Sequence, residues 1–141
     1  MDTIVDRIEE FYQENSVSKS LILCCNDEDS MRLADGLARL HHSVVCITED
    51  DTTDDRCNYI YKLNAFTDNS CRMLIVPYVA WYNIQNQIES MVLPEQNLFI
   101  MVDIDEDTAK YVQRWLDDAF MRGFANNNAQ NHVLVLESPT E

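Results

Sequence analysis

Lys19-Ser-Leu-Ile-Leu-Cys-Cys-Asn26 is the stretch whose reading decides the fold. Ser20 to Cys25 is a short continuous apolar run without polar alternation. A strand with one wet face alternates apolar and polar residues, so an unbroken run suits a strand covered on both sides. That environment is typical of a parallel sheet between two layers of helices.

Working outward, the neighbouring segments fit such a sheet. Thr3 to Glu14 places Ile4, Ile8, Phe11 and Tyr12 on one helical face, with Asp2 or Thr3 as cap. Beyond the run, Asn26 and Asp27 can cap a helix from Glu28 to Leu40 whose Met31, Leu33, Ala34, Leu37 and Ala38 turn inward. A second strand follows at Val44 to Thr48, then an acidic loop, Glu49 to Asp55, which reads as solvated. The next helix, near Asp54 to Phe66, buries Tyr59, Ile60, Leu63 and Phe66. Met73 to Val76 is a third strand, stopped by Pro77, which cannot donate to a ladder. A short helical turn covers Val79 to Ile88, and Leu98 to Val102 is the fourth strand. Asp107 to Met121 is the last main helix, with Asp107 as its cap and Tyr111, Val112, Trp115, Leu116 and Ala119 on its buried face. Asn126 to Asn131 reads as an exposed loop, and Val133 to Leu136 as the final strand. Strands separated by helices indicate right-handed crossovers and a mostly parallel α/β sheet of about five to six strands, helices on both faces.

At 141 residues the chain is expected to form one domain, and 46% hydrophobic residues exclude a largely disordered one. Ten basic against twenty-five acidic residues give a net charge of −15, which repels phosphate backbones at long range. No apolar run approaches the roughly 18 to 20 residues that span a bilayer, so no membrane role is expected. The five cysteines include Cys24, Cys25 and Cys46 in apolar strands, which suggests reduced thiols inside a cell. No CxxC pair is present to suggest structural zinc.

Chemistry-bearing motifs are scarce. Gly36 and Gly123 are the only glycines, too few and too isolated for a phosphate-cradling loop. No cofactor is expected. Asp103-Ile-Asp105-Glu-Asp107 can be read as a Mg²⁺ site or, more simply, as a solvated turn that caps a helix. Cys24 and Cys25 have no histidine near them in sequence and no nucleophile elbow exists. A phosphoacceptor domain would accept Asp27 and Glu28 but not Pro77 or Glu137 in the places of its aspartate and lysine.

The order of these segments resembles the second RecA-like domain of DEAD-box RNA helicases. Lys19 to Asn26 is similar to the strand that opens that domain, and Arg32-Leu-Ala-Asp-Gly-Leu-Ala-Arg39 to the helix after it. Thr52-Thr-Asp-Asp-Arg56 stands where the family has Ser-Gln-x-x-Arg. Arg72-Met-Leu-Ile-Val-Pro-Tyr-Val-Ala-Trp-Tyr-Asn-Ile-Gln85 is similar to R-V-L-V-A-T-D-x-A-A-R-G-L-D, and Tyr111-Val-Gln-Arg114 to the start of Y-x-H-R-x-G-R-x-x-R. The resemblance implies one RecA-like helicase C-terminal domain over residues 1–141.

Where the family keeps its catalytic arginines, this chain has Asp117 and Phe120. Loss of such an arginine costs roughly 10³ to 10⁵ in rate, so the resemblance implies a domain without ATPase activity. Pro77, Tyr78, Tyr82, Asn83 and Gln85 replace the family's Thr, Asp, Arg, Gly and Asp, which contact RNA phosphates and couple them to ATP. This pattern of loss is similar to the helicase-like regions of Tudor-domain proteins of the piRNA pathway, of the insect Yb type. That likeness implies self-association, with other granule proteins as partners, in the cytoplasm and in perinuclear RNA granules. It implies single-stranded RNA as a weaker ligand, through Arg56, Arg72 and Arg114. The alternative is an RNA-binding half-clamp that needs a preceding RecA-like domain. The clustered rings of Tyr78, Trp81 and Tyr82, beside Pro77 and Asn83, can be read as core or as an interface anchor.

Overall fold

The computed structural model describes residues 2–15, 19–53, 59–67, 71–89, 96–121 and 130–138. Its centre is β1 (Lys19–Cys24), every residue of which is buried. β1 pairs in parallel with β3 (Met73–Pro77) on one side and with β4 (Gln96–Val102) on the other. β2 (Val44–Cys46) adds to β3 and β5 (Gln130–Leu136) to β4, giving five parallel strands in the order β2-β3-β1-β4-β5.

Side chains alternate across these strands, so the inner strands β1, β3 and β4 feed two cores. Leu21, Leu23, Phe99 and Met101 point to one face, where Leu63 and Phe66 of α4 (Tyr59–Thr67), Ala80, Trp81 and Ile84 of α5 (Tyr78–Glu89), and Val112, Trp115 and Leu116 of α6 (Glu106–Met121) cover them. Ile22, Cys24, Leu98 and Ile100 point to the other, under Ile4, Val5 and Ile8 of α1 (Asp2–Glu14) and Leu33 and Leu37 of α2 (Asp27–Arg39). This double burial is the reason β1 carries no alternation. α1 and α2 approach closely: a Cβ on Gly36 would lie 2.7 Å from Cγ2 of Val5.

The helix ends follow local chemistry. Asn26 caps α2 by accepting from the Asp29 N–H at 2.8 Å. At the other end His41 adopts φ 68°, and its N–H and that of His42 close back on Ala38 and Leu37 in a Schellman arrangement. His42 then bonds Glu9 of α1.

Several expectations are corrected. Pro77 does not end β3 early but pairs opposite Cys24 as its last residue, where its missing N–H costs no interior ladder bond. Helix α5 is a full twelve residues beginning at Tyr78. The acidic segment is not simply a solvated loop: Glu49–Thr53 is a short helix, α3. The cap of α6 is Asp105 rather than Asp107, because its carboxylate accepts from both the N–H and the hydroxyl of Thr108. Met31, Ala38, Ile60 and Tyr111 are exposed, since their helices are rotated so that the neighbouring apolar residues take the core positions. Gln130 and Asn131 belong to β5 rather than to a loop, while 126–129 lie outside the described residues.

Candidate functional site: the carboxyl edge of the sheet

In open α/β sheets ligands bind beyond the carboxyl ends of the strands, near the point where successive connections leave for opposite faces. Here β1 leads to α2 on one face, whereas its neighbours β3 and β4 lead to α5 and α6 on the other. The crevice of this fold therefore lies above β1, between the turns after β3 and β4.

The helix starts after β1, β2 and β4 are acidic, whereas α5, after β3, has no acid in its first turn. α2 opens with Asp27, Glu28 and Asp29, α3 with Glu49, Asp50 and Asp51, and α6 with Glu106 and Asp107 behind the cap Asp105. A bare helix N-terminus attracts anions through unpaired N–H groups and the macrodipole. At each of these three, carboxylates of the chain itself already occupy that field. The turns are also tied to one another, as Asp27 accepts from the Glu49 N–H at 3.0 Å.

Basic groups nearby are engaged with these acids. Arg32 pairs with Glu28 and Lys110 with Glu106, both within a helix. Lys62 of α4 reaches Asp51 at 2.6 Å and the Cys46 carbonyl at 2.7 Å. Burial raises the Asp51 carboxyl, but the Lys62 ammonium and the N–H and hydroxyl of Thr48 outweigh it and hold the group below its usual range. A carboxyl held low adds stability that is fully present above its unfolded value, about 4, and is lost as pH falls through the folded value. Asp51→Asn is therefore expected to cost about 1 kcal/mol at pH 7, since Lys62 is a third exposed and partly screened. The gap between variant and wild type in thermal melts should narrow as pH falls from 7 to 3; a gap equal at both values would remove the ion pair as its cause.

The Asp103–Asp107 turn is structural. Asp103 sits at φ 54°, and its carboxylate accepts the Ser138 N–H at 2.7 Å and the Ser138 hydroxyl, fixing the turn after β4 to the end of β5. Asp105 is spent on its cap, which holds its carboxyl below the usual range. Among the described residues no group of three or more His, Cys, Asp or Glu is placed to hold a metal ion.

The structure does not bring the expected RNA contacts together. Arg72 precedes β3 at the amino end of the sheet, opposite the crevice, with its guanidinium 5.1 Å above the Tyr12 ring. Arg114 is exposed on α6, about 12 Å along the helix from its first turn. Arg56 lies outside the described residues.

The aromatic segment divides in two. Trp81 is 0% exposed and makes edge contacts with Trp115 and Tyr111, so it is a core residue and cannot itself meet a partner, contrary to its expected place in the interface. Tyr82 is 54% exposed and Tyr111 42%. With half-buried Tyr78 they form a ring patch over α5 and α6, centroids 6.3 and 6.4 Å from Tyr82, beside exposed Val79. Tyr111 was the member that sequence reasoning missed, having been placed in the core by its helical spacing.

No family profile matches the chain, and no curated protein sequence does. Among solved structures it is similar to the crystal structure of the Pyrococcus furiosus Hef helicase domain, with a TM-score of 0.60 and 16% identity over 99% of this chain. The chain spans about 25% of that protein's length. At such low identity the likeness speaks for the fold alone, a RecA-like parallel α/β sheet with helices on both faces.

Proposed function

We propose that this chain is a catalytically inactive helicase-like domain that serves as a self-association and scaffold module. The wider setting we infer is an RNA-granule protein of the Tudor-domain, piRNA-pathway kind, cytoplasmic and perinuclear. The observation that carries the loss of catalysis is the acidic crevice. Three helix N-termini that would cradle phosphate open on carboxylates, and a nucleotide triphosphate or an RNA backbone entering there would meet like charge. Asp117 is exposed on α6, at the position where the helicase family keeps an arginine.

The scaffold role is supported by apolar surface left uncovered on a chain of net charge −15. The patch of Tyr78, Tyr82 and Tyr111 combines large apolar area with hydroxyl groups, the composition favoured where proteins meet. It suits a further granule protein as partner.

Light scattering of the purified chain over a concentration series tests the reading, together with a nucleotide and RNA titration. The expected result is a mass twice that of the chain at micromolar concentration, no ATP hydrolysis, and no stabilisation by Mg²⁺-ATP. A monomer at every concentration would refute self-association. Single-stranded RNA that bound at low salt, with affinity falling steeply as salt rose, would favour the half-clamp reading instead.

A further inference from the structure

The strand β5 closes the sheet on one side. β4 occupies one of its edges, and no described strand occupies the other. Its outward N–H and C=O groups therefore form a template for another strand. Proteins blunt such edges with charges, prolines or short strands. From Gln130 to Leu136 this strand has seven residues, no proline and no Asp, Glu, Lys or Arg. The opposite edge, β2, is three residues long.

The two faces of β5 differ. Leu136 is buried and Leu134 partly so, against the layer of α1 and α2, and the His132 ring meets Phe11. On the other face Val133 and Val135 stand in register with buried Phe99 and Met101 but are 39% and 54% exposed, because α6 sits over β4 and β1 and stops short of them. An open edge and an uncovered valine pair thus coincide on one strand.

We propose that β5 is a self-pairing edge, occupied by β5 of a second copy in antiparallel orientation about a two-fold axis. This inference rests on the self-association proposed above and names its surface. Charge selects the occupant and the orientation. A second copy brings the same uncharged strand, so no carboxylate faces another along the joint. Antiparallel pairing points the two acidic crevices in opposite directions, whereas parallel pairing would set them side by side and repel. With Val133 at the axis, Val133 faces its own counterpart and Leu134 faces His132, placing β-branched residues across the seam. The five-stranded sheet becomes a continuous sheet of two copies, and the tyrosine patch on α5 and α6 stays open to another protein.

Val133→Lys with Val135→Lys tests this, since both positions are solvent-exposed and lysines there leave the core untouched. The double variant is expected to be monomeric at concentrations where the wild type is dimeric, while Tyr82→Ala with Tyr111→Ala remains dimeric. Raising salt should tighten the wild-type dimer by screening the charge of two acidic chains, the reverse of its effect on RNA binding. Val133→Cys, oxidised with copper phenanthroline, should give a crosslinked dimer linked through residue 133 by peptide mapping. This second readout decides the matter if the lysine variant fails to fold by circular dichroism. A folded lysine variant that stays dimeric, or the absence of a 133–133 crosslink in a dimeric sample, would overturn β5 as the interface while leaving self-association standing. A monomeric wild type would overturn both.

Discussion

Replacing Trp81 by alanine should cost the domain about 3 to 5 kcal/mol. The indole is fully buried between the sheet and α6, in edge contact with Trp115 at 5.2 Å between centroids and with Tyr111 at 6.0 Å. Removing it empties the centre of the layer formed by α4, α5 and α6, and the neighbouring rings cannot collapse into the space without leaving their own contacts. For a chain of this size, the loss lowers the melting temperature by roughly 10 to 20 °C. Tyr82→Ala, one residue along the same helix, should cost less than about 1 kcal/mol because its ring is mostly in solvent. Thermal melts of the pair check this directly. A Trp81→Ala protein melting within a few degrees of wild type would put that side chain on the surface and restore it as an interface residue.

The second large effect concerns Cys25, which stands at the mouth of the crevice. Packing around its sulfur, a hydrogen bond donated to Asp29 at 3.2 Å, and the charges of Asp29 and Asp103 push its thiol up to about 11. Only the thiolate alkylates, and the greater nucleophilicity of a more basic thiolate offsets part of its scarcity, so at pH 8 this exposed cysteine should react about 10-fold more slowly with iodoacetamide than a thiol of ordinary acidity. Burial pushes Cys24 up to about 12 and Cys46 to about 11, so they too should be slow until the chain unfolds. Mass spectrometry of peptides after timed alkylation, native and in guanidinium, gives each rate separately. Asp29→Asn should accelerate Cys25 selectively. Equal native and unfolded rates at Cys25 would mean that the crevice lacks the negative field on which the proposed loss of nucleotide binding depends.

The parts of the fold readable from sequence were those set by local pattern. An unbroken apolar run can only be a doubly covered strand or a buried helix, and the length of Leu21 to Cys24 with capping Asn26 behind it settles the choice. What remained hidden depended on helix rotation or on distant partners. Trp81 and Tyr82 are adjacent and about 100° apart on α5, whose apolar residues lie nearly all around, so nothing local says which ring faces the sheet. Tyr111 sits on the margin of the buried stripe of α6, where spacing alone cannot separate core from rim. Asp51 read as one of several solvated acids because its partner Lys62 comes eleven positions later on another helix. Glu9 and His42, 33 positions apart, were equally invisible as a pair. His42 draws the Glu9 carboxyl below its ordinary range, a shift that local sequence could not announce.

The central position of β1 also governs how the chain can be made. Its first partner strand begins at Met73, 53 positions after Ser20, and the second begins still later. During synthesis at roughly 5 to 20 residues per second, this apolar strand must therefore wait about 3 to 10 s before any neighbour exists to pair with it. Among the described elements, helices α1 and α2, which flank it in sequence, cover one of its faces in that interval, and only α4, made last before Met73, can begin to cover the other. A ribosome paused within α3 or α4 would hold out a nascent chain whose most apolar segment is half dressed, and the first two helices then decide whether it stays soluble.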